Sequence, residues 1–146
     1  MHFSVLVPHL NWVASPTALR DVAQAAEELG FGGLAVADHI HFAGGYIATG
    51  SRQPVEGGDV RDLYEALTTL AYLPAITTRV HLLPTVLVAA LREPILAAKQ
   101  LATIDVLSGG RLIVGVGVGR PTAVSSDPAL VNAAHREHAK LQYQVY

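Results

Sequence analysis

Short apolar runs and stretches of helical apolar period take turns along this chain, with no hairpin signal between them. His2–Val7 is an apolar run closed by Pro8, a first strand. Ser15-Pro16 supplies a helix cap and first helical residue. Leu19, Val22, Ala23, Ala26 and Leu29 follow at helical spacing, and Gly30 marks the stop. Gly33–Ala37 reads as a second strand delivering Asp38 and His39 at its carboxyl end. A second helix is expected from Asp62 to Ile76, then a third strand over Val80–Val88 interrupted by Pro84. A third helix starts at Pro94, with Ile95, Ala98, Leu101 and Ala102 expected inward, and ends at the Ser108-Gly109-Gly110 turn. Leu112–Val118 completes the series as a fourth strand. Four successive βα steps define an α/β fold of parallel βα repeats, joined by right-handed crossovers.

The fourth strand carries an unusual pattern: Val114, Val116 and Val118 alternate with Gly115, Gly117 and Gly119. Successive strand side chains point to opposite faces, so one face carries valines and the other is bare backbone. Glycine weakens a strand unless a ligand or another part of the protein must come close. Two readings stand: space for a flat or bulky ligand, or close packing in a crowded sheet. A dinucleotide-binding loop fits badly, because the spacing is G-x-G-x-G and Arg120-Pro121 follows in place of a helix start.

Composition narrows the function classes. A formal net charge of −2, with no basic run, gives no footprint for nucleic acid or an anionic membrane. No cysteine is present, which excludes disulfides and thiolate metal sites. The apolar stretch Val80–Leu91 is too short to span a bilayer, and the N-terminus lacks the basic region of a secretory signal. A soluble cytoplasmic protein is expected. His39 with His41, and His135 with His138, lack a third ligand, so no metal is expected.

Ligands of parallel α/β folds bind at the carboxyl ends of the strands. That rule selects Pro8, His9 and Asn11, Asp38 and His39, Thr85 and Val86, and Gly119 with Arg120 as one rim. His39 is suited to moving a proton near neutral pH or to bonding a bound ring. The alternative is that Asp38 caps the following loop and His39 packs beneath it. Residues 40–60 are rich in Gly, Ser and Pro and read as a long loop. After Gly119 a polar loop leads to Asp127-Pro128, which is expected to open a final helix.

The segments AVADHIH, DLYEALTTLAYLPAITTRVHLLPTVLV and LREPILAAKQLATIDVLSGGRLIVGVGVG together resemble the luciferase-like monooxygenase family, most closely its branch that uses coenzyme F420. The resemblance covers residues 1–120, with 121–146 a divergent loop and helix. It implies a TIM-type barrel, of which this chain carries the N-terminal half, with F420 or FMN at the carboxyl ends of the strands. By the same resemblance, Asp38 and His39 match the pair beside the cofactor ring, and His39 the histidine implicated in catalysis. Thr85-Val86 matches the bulge where members hold a non-proline cis peptide against the ring. Gly115–Gly119 matches the strand passing the pocket, which adds Gly117 and Gly119 to the cofactor-binding set. Arg120 stands where some F420 dehydrogenases place a catalytic glutamate, so that role does not transfer. The implied reaction is hydride transfer between the deazaflavin and a small organic substrate. An FMN-dependent monooxygenase using oxygen is the alternative. A TIM barrel needs eight βα units. The chain is therefore expected either to pair as a homodimer that closes the ring or to be a non-catalytic half-barrel or assembly subunit.

Overall fold

A computed structural model describes residues 2–10, 13–38 and 64–117. His39, Gly119, Arg120, the 40–60 loop and the 121–146 segment lie outside the described residues. The elements run β1 (Ser4–Leu6), α1 (Pro16–Glu28), β2 (Gly33–Val36), α2 (Ala66–Tyr72), β3 (His81–Pro84), β4 (Leu87–Val88), α3 (Pro94–Ser108) and β5 (Val116–Gly117). Among the described residues every strand pairing is parallel. β1, β2 and β3 lie side by side, with Ser4 opposite Gly33 and Gly33 opposite His81. β4 pairs with β5, Leu87 opposite Val116, and a bridge from Leu82 to Leu112 carries the order across to the β3 side. Sequential parallel neighbours joined by helices are the βα repeat that the punctuation of the sequence predicts.

Local chemistry accounts for the helix ends. The Ala18 amide donates to the Ser15 hydroxyl at 3.0 Å, which caps α1, and Pro16 needs no donor at that position. Gly30 and Gly109 close α1 and α3 in the left-handed region, at φ of +81° and +69°. The second helix begins at Ala66, later than expected, because the Glu65 carboxylate accepts from the Leu67 and Thr68 amides and stands as its cap. Pro74 then tightens its end into a 3-10 turn over Leu73–Ala75.

The core lies between the sheet and these helices. Leu19, Ala23 and Ala26 of α1, Leu67 and Leu70 of α2, and Leu34, Val36 and Leu82 of the sheet are all buried. Each fully buried leucine is worth about 1.5–3 kcal/mol of transfer free energy. Helix α3 departs from the expected face. Leu101 is half-buried and Ile104 and Ser108 are buried, whereas Ile95 is 81% exposed and Ala98 and Ala102 are also exposed. Apolar residues surround this helix, so periodicity alone does not select the buried side.

Two charged side chains fasten the ends of the strands opposite the candidate rim. The Arg111 guanidinium donates to the carbonyls of Ser108, Thr77 and Val80 and to the Thr77 hydroxyl, at 2.7–3.1 Å. A cation at the C-terminus of α3 suits the helix dipole. The Glu27 carboxylate accepts from the consecutive amides of Thr78, Arg79 and Val80, tying the end of α1 to the entry of β3. Burial pushes its carboxyl up, but the Arg79, Val80 and Thr78 amides and the Arg79 charge outweigh this and hold it below its ordinary 4.5. A carboxyl lowered on folding contributes stability that is present above its unfolded value and is lost as pH falls through the lower folded value. The urea midpoint is therefore expected to drop progressively below about pH 4.5, and less steeply in Glu27→Gln. An identical acid limb in the wild type and the variant would remove Glu27 from this role.

Candidate active site

The carboxyl ends of the strands converge through side chains. His9, at the exit of β1, is fully buried, its ring nitrogens 2.8 Å from the Val7 carbonyl and 3.1 Å from the Ala37 carbonyl. It joins the exit of β1 to that of β2. The His9 carbonyl in turn accepts from the Tyr64 amide at 3.0 Å, which places the start of α2 beside the same rim.

Asp38 ends an apolar strand, and its side chain is only 1% exposed. A buried carboxylate requires a cation and donors. Arg92 supplies both, with Nη2 donating to Oδ1 at 2.7 Å and Nε to Oδ2 at 3.3 Å. The Val88 amide donates to Oδ2 at 2.9 Å. Arg92 Nη2 also donates to Glu65 Oε1 at 2.8 Å. One guanidinium thus spans the exit of β2 and the cap of α2. Burial pushes the Glu65 carboxyl up, but donors from Thr68, Arg92 and Leu67 prevail and leave it below 4.5. Burial likewise works against the Arg92 charge, while Asp38 and Glu65 more than restore it.

The expected third strand is divided into β3 and β4 by Thr85 and Val86, which are exposed and joined by a cis peptide. The Thr85 amide donates to the Val36 carbonyl at 2.8 Å and the Leu87 amide to the Gly115 carbonyl at 2.7 Å, so the step lies between β2 and β5. The bare face of β5 meets this step. A Cβ added at Gly115 would lie 3.1 Å from the Pro84 carbonyl oxygen, and one at Gly117 only 2.1 Å from Val86 Cγ2. For these two glycines the close neighbour is protein, as the packing alternative expects. Val86 itself stays 44% exposed and forms an apolar ledge above the sheet. Gly117→Ala is expected to cost about 1–3 kcal/mol by overpacking, and Val86→Ala in the same chain to recover most of it. Strict additivity of the two changes in a denaturation cycle would contradict this contact.

Among the described residues the structure therefore brings Asp38, Val86 and Gly117 to one rim, with His9 sealed beneath it. Sequence reasoning missed Arg92 and Glu65. The available signal was Asp38 itself, a charge following the five apolar or glycine residues Gly33–Ala37 and therefore in need of a partner.

A family model described as luciferase-like monooxygenase matches residues 1–140. The chain belongs to the luciferase-like monooxygenase family. Curated relatives are uncharacterised proteins of Mycobacterium tuberculosis and Mycobacterium bovis, each 31% identical over 123 residues, or 82% of this chain. The chain spans 42% of their length. Among solved structures, it is similar to the coenzyme F420 dependent tetrahydromethanopterin reductase from Methanopyrus kandleri. That match has a TM-score of 0.60 and 25% identity, covering 82% of this chain and 27% of the reductase. An F420-dependent secondary alcohol dehydrogenase, solved with an F420-acetone adduct, matches with a TM-score of 0.64 and 19% identity, over 96% of this chain and 40% of its own. The oxygenating constituent of 3,6-diketocamphane monooxygenase from Pseudomonas putida, solved with FMN, gives 0.59 and 16%, over 97% and 38%. The luciferase-like chain thus has the parallel α/β fold of part of a TIM-type barrel. Among its described residues no helix is long and apolar enough to cross a membrane.

Proposed function

We infer that this luciferase-like chain is a half-barrel of an oxidoreductase that takes F420 and transfers hydride between it and a small organic substrate. The observation that carries this reading is the rim itself. An exposed apolar ledge, Val86, stands at the carboxyl ends of parallel strands beside a carboxylate that Arg92 already neutralises. That combination suits the face of a flat, largely apolar ring, and two of the solved relatives are F420-dependent enzymes. The cofactor, when bound, supplies hydride chemistry at the deazaflavin C5 position.

The chain's own residues would do the rest. The Thr85-Val86 backbone and the Val86 side chain would support the ring face, and Gly117 lets that ledge lie close to β5. Asp38, with both oxygens engaged by protein donors, would act by fixing the rim. His39, the next residue in the chain, would hold or deliver the proton that accompanies hydride transfer. His39 and Gly119 enter through the family resemblance.

The FMN-bound relative favours a second reading, an oxygen-using monooxygenase. Anaerobic mixing with reduced or oxidised F420 and candidate alcohols or imines, followed at the deazaflavin absorbance, tests the first reading. Substrate-dependent oxygen uptake with reduced FMN, and no F420 turnover, would replace it with the second. Leu6 in β1 and Val116 in β5 are exposed, which supports completion of the ring by further strands. A second copy related by a two-fold axis along the barrel would supply them in the same direction. A strictly monomeric chain that binds neither cofactor would support the non-catalytic reading instead.

A further inference from the structure

We propose that Arg92 is the positioning residue of this rim: by holding the Asp38 carboxylate it fixes Val88, and through Val88 the height of the Val86 ledge over β5. The inference rests on the cofactor reading above. The linkage is short and continuous. Arg92 donates twice to Asp38, Asp38 accepts the Val88 amide, Val88 lies two residues beyond Val86, and Val86 fills the space at Gly117.

Arg92 does not act as a ligand group in this scheme. Its side chain is only 10% exposed, and its Nε and Nη2 donors face Asp38 and Glu65. Neither does Asp38, whose oxygens both accept from the protein. What the linkage leaves exposed at its end is the apolar Val86 surface. The second contact, to Glu65, fixes the plane of the guanidinium, because one fork must satisfy two carboxylates on different elements. A lysine keeps the charge but has no planar fork, so it cannot reproduce this orientation. A binding surface displaced by a fraction of an ångström loses affinity even when the fold survives.

The test is a fluorescence titration of the full chain with F420 and with FMN, in the wild type, Arg92→Lys and Arg111→Lys. Arg111 serves as a control because it fastens the opposite end of the strands. Arg92→Lys is expected to weaken whichever cofactor binds by about tenfold or more. Arg111→Lys is expected to lower the melting temperature while leaving affinity within about twofold of the wild type. In an Asp38→Asn background, Arg92→Lys is expected to add no further loss, since the linkage is already cut. Wild-type affinity in folded Arg92→Lys would overturn the proposal and leave the cofactor reading standing. Equal losses in Arg92→Lys and Arg111→Lys would also overturn it, as a general structural effect. If Arg92→Lys does not fold, Glu65→Gln replaces it. A loss in the same direction supports the linkage, and unchanged affinity overturns it. No binding by the wild type would remove the cofactor reading and the proposal with it.

Discussion

Replacing Arg92 by glutamine is expected to destabilise the chain by about 3–5 kcal/mol, a large share of the 5–15 kcal/mol typical of a domain. The reason is what remains behind. Asp38 would keep its buried position and the Val88 amide but lose both guanidinium contacts. A buried charge stripped of its partner costs far more than the intact pair contributes. Glu65 would also lose one donor, although its cap to Leu67 and Thr68 would persist. The double change Asp38→Asn with Arg92→Gln removes both charges and is expected to cost less than Arg92→Gln alone. Urea denaturation of the three variants checks the sign of that difference. A double variant weaker than the single by the full cost of Asp38→Asn would show that the two side chains do not act as a pair.

His39→Ala is expected to lower turnover by about 10²–10⁴-fold, the usual contribution of a positioned acid or base. Folding stability should stay near that of the wild type, and cofactor affinity should change far less than turnover. This contrast separates His39 from Arg92, whose replacement is expected to move stability and affinity together. In hydride transfer the proton must go to, or come from, a group able to exchange it near neutral pH, and histidine meets that condition. Single-turnover absorbance changes at the deazaflavin, run with saturating cofactor, would measure the effect. Unchanged turnover would remove His39 from the mechanism.

The fold was legible wherever a local rule acts alone. Ser15-Pro16 and Gly30 bound α1 because capping and positive φ are properties of a few adjacent residues. The parallel order followed from the absence of hairpin signals. The buried side of α3 was not legible, since its apolar residues run all round and only the packed sheet chooses among them. The division of the third strand was half visible at Pro84, but the step itself falls at Thr85 and Val86. In the site, Asp38 and the Thr85-Val86 step came from strand ends and resemblance. Arg92 and Glu65 did not, because an ion pair across 54 or 27 positions leaves no periodic trace. The alternating glycines of the expected fourth strand had two readings, and only the placement of Val86 distinguished them at Gly117.

The most direct test of the central claim, a flavin-type cofactor site on a half-barrel rim, is equilibrium binding of F420 and FMN to the purified chain. Fluorescence titration, with circular dichroism to verify the fold, is expected to show saturable binding of F420 and weaker binding of FMN. Val86→Asp, which places a charge on the ledge, should abolish that binding. A folded chain that binds neither cofactor would contradict the account.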